Sequence, residues 1–193
     1  MNSVDKKIEN KQLVEKFPWL RPFDFFGNEI ENYDYSFTIL DEIPEGWKIA
    51  FGELLAEDIQ KVLDEQNIDD FKVLQIKEKY GELRLYHNSA PKEIDKIIHA
   101  YSTASANICF HCGKPDVTQS KGYWIWTCCT QCFNKLPMAQ HRKYEDEFGD
   151  NEYEPMQDEY YYSMFSEKGT IHCSENISEY TTKIRKRYEE RMK

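Results

Sequence analysis

Two Cys-x-x-Cys pairs constrain this chain more than any other feature. They are Cys109-Phe110-His111-Cys112-Gly113 and Cys129-Thr130-Gln131-Cys132, sixteen residues apart. Each such turn aims two sulfurs at one centre, and this spacing is that of a four-cysteine zinc site. Zn²⁺ prefers tetrahedral thiolate ligands at about 2.3 Å. The pattern therefore predicts one Zn²⁺ held by Cys109, Cys112, Cys129 and Cys132. Four sulfurs leave no open coordination position, so the metal is expected to be structural, and no catalytic residue is assigned. Gly113 lets the first turn present backbone amides to the sulfurs. Cys128 leaves an alternative open, because Cys128 and Cys132 form a Cys-x-x-x-Cys pair; the commoner knuckle favours Cys129. His111 lies between two better ligands, and Cys173, directly after His172, reads as a spare ligand or a buried cysteine. The competing readings are a redox dithiol, incidental cysteines, or an HNH-type nuclease. The last needs histidines near the second pair, where only His141 lies downstream.

The expected compartment suits a metal. The first ten residues are polar and lack an apolar signal core, and no stretch approaches the roughly 20 apolar residues of a membrane helix. A cytoplasmic location is expected, where thiols stay reduced and clustered cysteines point to a metal ahead of disulfides. Between the pairs, Tyr123-Trp124-Ile125-Trp126 has strand character and Lys121-Gly122 suits a turn. After Cys132, Phe133-Asn134-Lys135-Leu136 suits a helix start. A knuckle, a hairpin and a second pair opening a helix resemble the treble-clef arrangement.

The first half reads as alternating elements. Residues 9–17 suggest a short helix stopped by Phe17-Pro18-Trp19. Tyr33 to Leu40 reads as a strand, because aromatic density suits a pleated, partly buried surface. Pro44-Glu45-Gly46-Trp47 opens a helix to about Glu65, whose stripe is Trp47, Phe51, Leu54, Leu55, Ile59 and Val62. Phe71 to Asn88 reads as a hairpin turning at Tyr80-Gly81. That register pairs Lys79 with Glu82 and Ile76 with Leu85. It collects Leu74, Ile76, Leu83 and Leu85 on one face and Gln75, Lys77, Lys79, Glu82, Arg84 and Tyr86 on the other. Pro91 starts a helix to about Ala106. The fold class is α+β: a small antiparallel sheet with helices on one face, a treble-clef-like zinc module and a C-terminal helix. The expected division is 1–106 (α+β), 107–140 (zinc module) and 141–193 (acidic segment and basic helix).

Charge is distributed unevenly. The net −10 comes from 35 acids and 25 bases, yet residues 1–143 carry only −4 and residues 163–193 carry +2. Residues 144–162 hold eight acids, no base and no aliphatic side chain, so they cannot form much core. Such a run usually solvates a linker. Glu145, Asp146, Glu147, Tyr160, Tyr161 and Tyr162 could also imitate phosphates and stacked bases toward a partner's basic groove. The helix from Asn176 carries Lys183, Arg185, Lys186, Arg187, Arg191 and Lys193, which could grip nucleic-acid phosphates. On the hairpin's polar face, Lys77, Lys79 and Arg84 beside Tyr86 could hold a phosphate or carboxylate; the plainer reading is a solvated face. Asp41, Glu53 and Glu57 are candidate paired acids, and a wet helix surface is their plainer reading.

Several pieces together resemble a family of short proteins found in phages, prophages and bacterial accessory genomes. They are Phe17-Pro18-Trp19-Leu20, Tyr33-Asp34-Tyr35, Leu40-Asp41, Pro44-Glu45-Gly46-Trp47, Ala50-Phe51-Gly52, Gln75 to Arg84, and the two cysteine pairs. The resemblance spans residues 17 to about 136 and implies a bacterial-host cytoplasm, with no mechanism attached. The combined expectation is a non-catalytic, zinc-stabilised protein that binds, and in one version inhibits, a host or phage protein. The rivals are an enzyme or ligand-sequestering protein for a phosphorylated or nucleotide-like small molecule at the hairpin, and a nucleic-acid-binding regulator.

Overall fold

A computed structural model describes residues 3–24, 27–117, 127–135 and 174–193, with side chains of the last helix from 179 onward. The chain is α+β. Its helices are α1 (Ser3–Lys16), α2 (Glu45–Trp47), α3 (Glu53–Gln66), α4 (Lys92–Ser105), α5 (Thr130–Phe133) and α6 (Ser174–Arg191). Its one sheet among the described residues pairs β1 (Val73–Lys79) with β2 (Glu82–His87), antiparallel.

The hairpin has the register its pattern predicts: Lys79 faces Glu82 and Ile76 faces Leu85. Tyr80 (φ 56°) and Gly81 (φ 75°) both adopt positive φ. A two-residue turn needs this to follow the right-handed strand twist. Ile76, Leu83 and Leu85 are buried as expected, but Leu74 is not: it stands 68 % exposed while Val73 is buried. The cause is a bulge between Val73 and Gln75. One extra residue reverses the alternation at that point, so Val73 replaces Leu74 on the core side.

Side chains cover part of both outer edges of this two-stranded sheet. On β2 the Leu83 N–H donates to Ser105 Oγ at 2.8 Å, and that hydroxyl donates onward to the Ser102 carbonyl. On β1 the Glu42 carboxylate accepts from the Ile76 N–H; burial nevertheless pushes the Glu42 carboxyl up. At these two positions the edge N–H groups are satisfied internally and are not offered to another chain.

Tyr33 to Leu40 is not a strand. Tyr35 has φ 60°, Asp34 accepts from the Ser36 N–H, and the Tyr33 hydroxyl donates to the Phe37 carbonyl. These local bonds curl the segment into turns, which end in a 3₁₀ turn, Ile39–Glu42. Asp41 accepts from the Thr38 N–H at 2.7 Å and so caps that turn. Short side chains that bond nearby backbone compete with strand formation, and here they win. The first helix starts at Ser3, earlier than residue 9; buried Asn10 ties it to the Tyr35 carbonyl at 2.9 Å.

Helices α2 and α3 are joined through a π-helical turn, Lys48–Gly52. Trp47, Phe51, Leu54, Leu55, Ile59 and Leu63 face the core from this run, and Ile94, Ile97 and Tyr101 meet them from α4. Trp47 is fully buried, and its Nε1–H donates to the Ile108 carbonyl at 3.1 Å. The expected 106/107 boundary is therefore crossed by a buried hydrogen bond.

Candidate metal centre

The first knuckle is built against α2. Gly46 N–H donates to the Phe110 carbonyl at 2.8 Å, and the Trp47 and Phe110 rings meet edge to face at 5.0 Å. A Cβ on Gly46 would lie 2.1 Å from the Cys109 carbonyl oxygen, and one on Gly113 would lie 2.5 Å from the Gly46 oxygen. Two glycines thus let two backbones touch. Gly113 also has φ 75°, a region that favours glycine. The Pro-x-Gly-Trp and Cys-x-x-Cys-Gly motifs are far apart in sequence and face each other here.

The second pair arrives on a short helix. Cys129 precedes α5, and Cys132 lies within it. Phe110 N–H donates to the Thr127 carbonyl at 2.8 Å, which aligns the two knuckles. The Sγ atoms of Cys109, Cys112, Cys129 and Cys132 all lie within 4.8 Å of one another, and Cys112 and Cys129 are 3.7 Å apart. Tetrahedral sulfur at about 2.3 Å from a metal would place neighbouring sulfurs about 3.8 Å apart. The cluster can hold a metal ion. Cys128 is outside it, and its thiol lies 3.6 Å from the Cys129 carbonyl.

Electrostatics at the cluster are uneven. Burial pushes the Cys109 thiol up, but amide hydrogen bonds from Cys129, Cys112 and His111 outweigh it and hold Cys109 at about 7. Burial pushes Cys112 and Cys132 up, and neighbouring sulfurs push Cys132 further. Four thiolates crowded together disfavour one another's charge, and a dication relieves that conflict.

The other candidate residues fall elsewhere. Lys77 faces Arg84 across the ladder, and Lys77 lies 5.5 Å from the Tyr86 ring. Arg84 is drawn to Glu82 Oε2 (2.6 Å) and Ser102 Oγ (2.8 Å), and Lys79 lies over Tyr80. A cavity of about 330 Å³ opens beside β1, lined by Phe23, Ile39, Glu42, Lys72 and Leu74 among others; Lys77, Arg84, Asp41 and Glu57 do not line it. Asp41 accepts from Lys48, and Glu53 and Glu57 both accept from Lys16, so these acids join elements together. Glu145, Asp146, Glu147, Tyr160, Tyr161 and Tyr162 lie outside the described residues, as do Tyr123–Trp126, His141, His172 and Cys173.

The basic C-terminal helix turns much of its charge inward. Lys183 pairs with Asp58, Arg185 holds Asp116 through two bonds of 3.0 and 2.8 Å, and Arg187 pairs with Glu53 at 3.0 Å. Arg191 donates to the Ile49 carbonyl. Sequence reasoning grouped this helix with the acidic segment and missed its acidic counterparts on the body; the signal was its narrow apolar stripe of Ile177, Tyr180, Ile184 and Tyr188, of which Ile184 is buried. The chain matches no family model, no curated protein and no solved structure.

Proposed function

We propose that the chain is a non-catalytic binding protein whose scaffold is held by one structural Zn²⁺ in a treble-clef-like module. The observation that carries the metal reading is the closed set of four sulfurs, set into the core through Gly46, Gly113 and Trp47. Four cysteine ligands suit Zn²⁺ and exclude a fifth participant. The binding reading is supported by what the candidate acids do: Asp41, Glu53 and Glu57 are committed to ion pairs between elements. The partner is a host or phage protein in a bacterial cytoplasm, and the acidic run 144–162 is a means of engaging its basic surface.

Metal analysis of the purified chain should give about one zinc per chain, lost together with stability in a Cys109→Ser/Cys112→Ser variant. Absence of metal, or metal retained by the variant, would refute the scaffold reading. Deleting 144–162 should abolish partner capture while the fold persists; unchanged capture would refute that role.

A second reading has one specific observation behind it. Lys77 sits directly opposite Arg84, and like charges at that spacing destabilise a ladder. Glu82 already answers Arg84, and an anionic small molecule at this face would add a second counter-charge toward Lys77. Arg84→Ala and Lys77→Ala should then remove binding of inorganic phosphate or a nucleotide without unfolding the chain.

A further inference from the structure

The seat of α6 is a groove with a defined chemical pattern. Glu53 and Asp58 from α3 supply two carboxylates, and Asp116 supplies a third from the loop that follows Cys112. Between them lies an apolar socket where Ile184 is only 1 % exposed. Tyr101 presents its ring edge-on to Tyr180 at 5.2 Å, and its hydroxyl donates to Asp58 at 2.7 Å. The π-helical turn at Lys48–Gly52 offers the Ile49 carbonyl to Arg191. Relative to the aliphatic at position i, the groove reads an aromatic at i−4, Lys at i−1, and Arg at i+1, i+3 and i+7.

We propose that this groove is a receptor for a basic amphipathic helix of a partner protein, and that α6 is its resident, displaceable occupant. This deepens the reading of the chain as a protein-binding module and rests on it. Charge complementarity argues for the occupant's chemistry: three carboxylates meet three cationic side chains, Lys183 and Arg187 on one flank of the Ile184 stripe and Arg185 on the other. Displacement is possible because the contact is modest. Among the described side chains of α6, Ile184 is the one buried aliphatic, and the Arg185 and Asp116 side chains are 46 % and 58 % exposed. α6 is covalently part of the same chain as its groove, so it occupies the groove as an intramolecular ligand at an effective concentration that a separate partner must overcome. A partner helix with the same code and a larger apolar anchor would compete with it. An amphipathic helix laid into a groove is a common recognition mode.

The test uses the full chain. Ile184→Asp should free α6, seen as faster amide exchange over 179–191 with α3 and α4 unchanged; Arg185→Glu/Arg187→Glu serves if that variant fails to fold. A labelled peptide of residues 174–193 is the probe. It should bind the released variant, bind the wild type at least about tenfold more weakly, and weaken as salt rises. Adding Glu53→Gln and Asp58→Asn to the receptor should weaken binding roughly threefold to tenfold. The proposal is overturned if α6 is freed and the peptide does not bind, or if the peptide binds wild type and variant equally. A wild-type dimer that dissolves on Ile184→Asp would make a second copy the occupant and overturn it too. None of these outcomes touches the partner reading itself, which stands or falls on capture by the 144–162 deletion.

Discussion

At Gly46, the absence of a side chain sets how closely a core helix approaches the cysteine knuckle. A methyl group there would overlap the Cys109 carbonyl and the Gly113 nitrogen, neither of which is a flexible side-chain tip. Gly46→Ala should therefore cost about 2 kcal/mol or more and weaken metal retention together with folding. Thermal unfolding and metal content of the same sample check this; a drop in stability with unchanged metal affinity would separate the two motifs. Asp41 works by charge. Burial raises its carboxyl, but hydrogen bonds from Lys48, Thr38 and Lys6 outweigh burial and leave its pKa below the usual 3.8. A depressed pKa contributes stability above 3.8, and that contribution is lost as pH falls through the lowered value. Asp41→Asn should thus be less stable than wild type at neutral pH, with the gap closing below pH 3.8. Denaturant titrations across that range measure it. Asp34, held at about 2 by Lys7 and Ser36, loses its contribution over the same acid window.

At the scale of elements, edges and junctions decide the outcome. Ser105 Oγ is the acceptor for the buried Leu83 N–H at the edge of β2. Ser105→Ala would orphan that donor and should cost about 1–3 kcal/mol. A smaller loss would mean that the edge finds another partner, and amide exchange at Leu83 tells the two apart. The turn offers the opposite case. Tyr80 adopts φ 56°, which asparagine tolerates better than tyrosine. Tyr80→Asn should raise stability by roughly 0.5 kcal/mol or more. A loss instead would show that the Tyr80 ring, which lies under Lys79, contributes to the fold. The hairpin was legible in sequence because a period-2 pattern and a glycine turn agree on one register. Its bulge was not, since Val73 and Leu74 are both apolar and only packing chooses between them. Tyr33 to Leu40 misled for a related reason: aromatic density signals burial, and burial does not require a ladder.

For the whole molecule, the knuckle and the C-terminal helix are linked. Asp116 lies in the loop whose shape follows from Cys109 and Cys112, with Cys109 N–H donating to the Lys114 carbonyl and Val117 N–H to Asn107. The same Asp116 receives Arg185. With Zn²⁺ at the four sulfurs as proposed, a chelator should therefore loosen α6 ahead of the α3–α4 core. Amide exchange over 179–191 should rise while Leu55 and Ile94 stay protected; simultaneous loss of all three regions would deny the linkage. The charge pattern takes on a similar meaning. The described bases of α6 do not form one free cationic face, because Lys183, Arg185 and Arg187 meet carboxylates of the body.

The amino-acid sequence by itself determined two cysteine pairs able to meet at one centre, the helices around Trp47 and Tyr101, and the hairpin register; it left Cys128 and Cys129 open, and the clustering of the Sγ atoms decided for Cys129. Each of these rests on local spacing: a knuckle, a 3.6-residue stripe or a two-residue alternation carries its geometry with it. Only the tertiary structure decided that Gly46 and Gly113 interlock, that Glu42 and Ser105 cover the sheet edges, and that α6 lies in an acidic groove. Those are contacts between residues distant in sequence. Their energy depends on which surfaces meet, and no spacing along the chain records that.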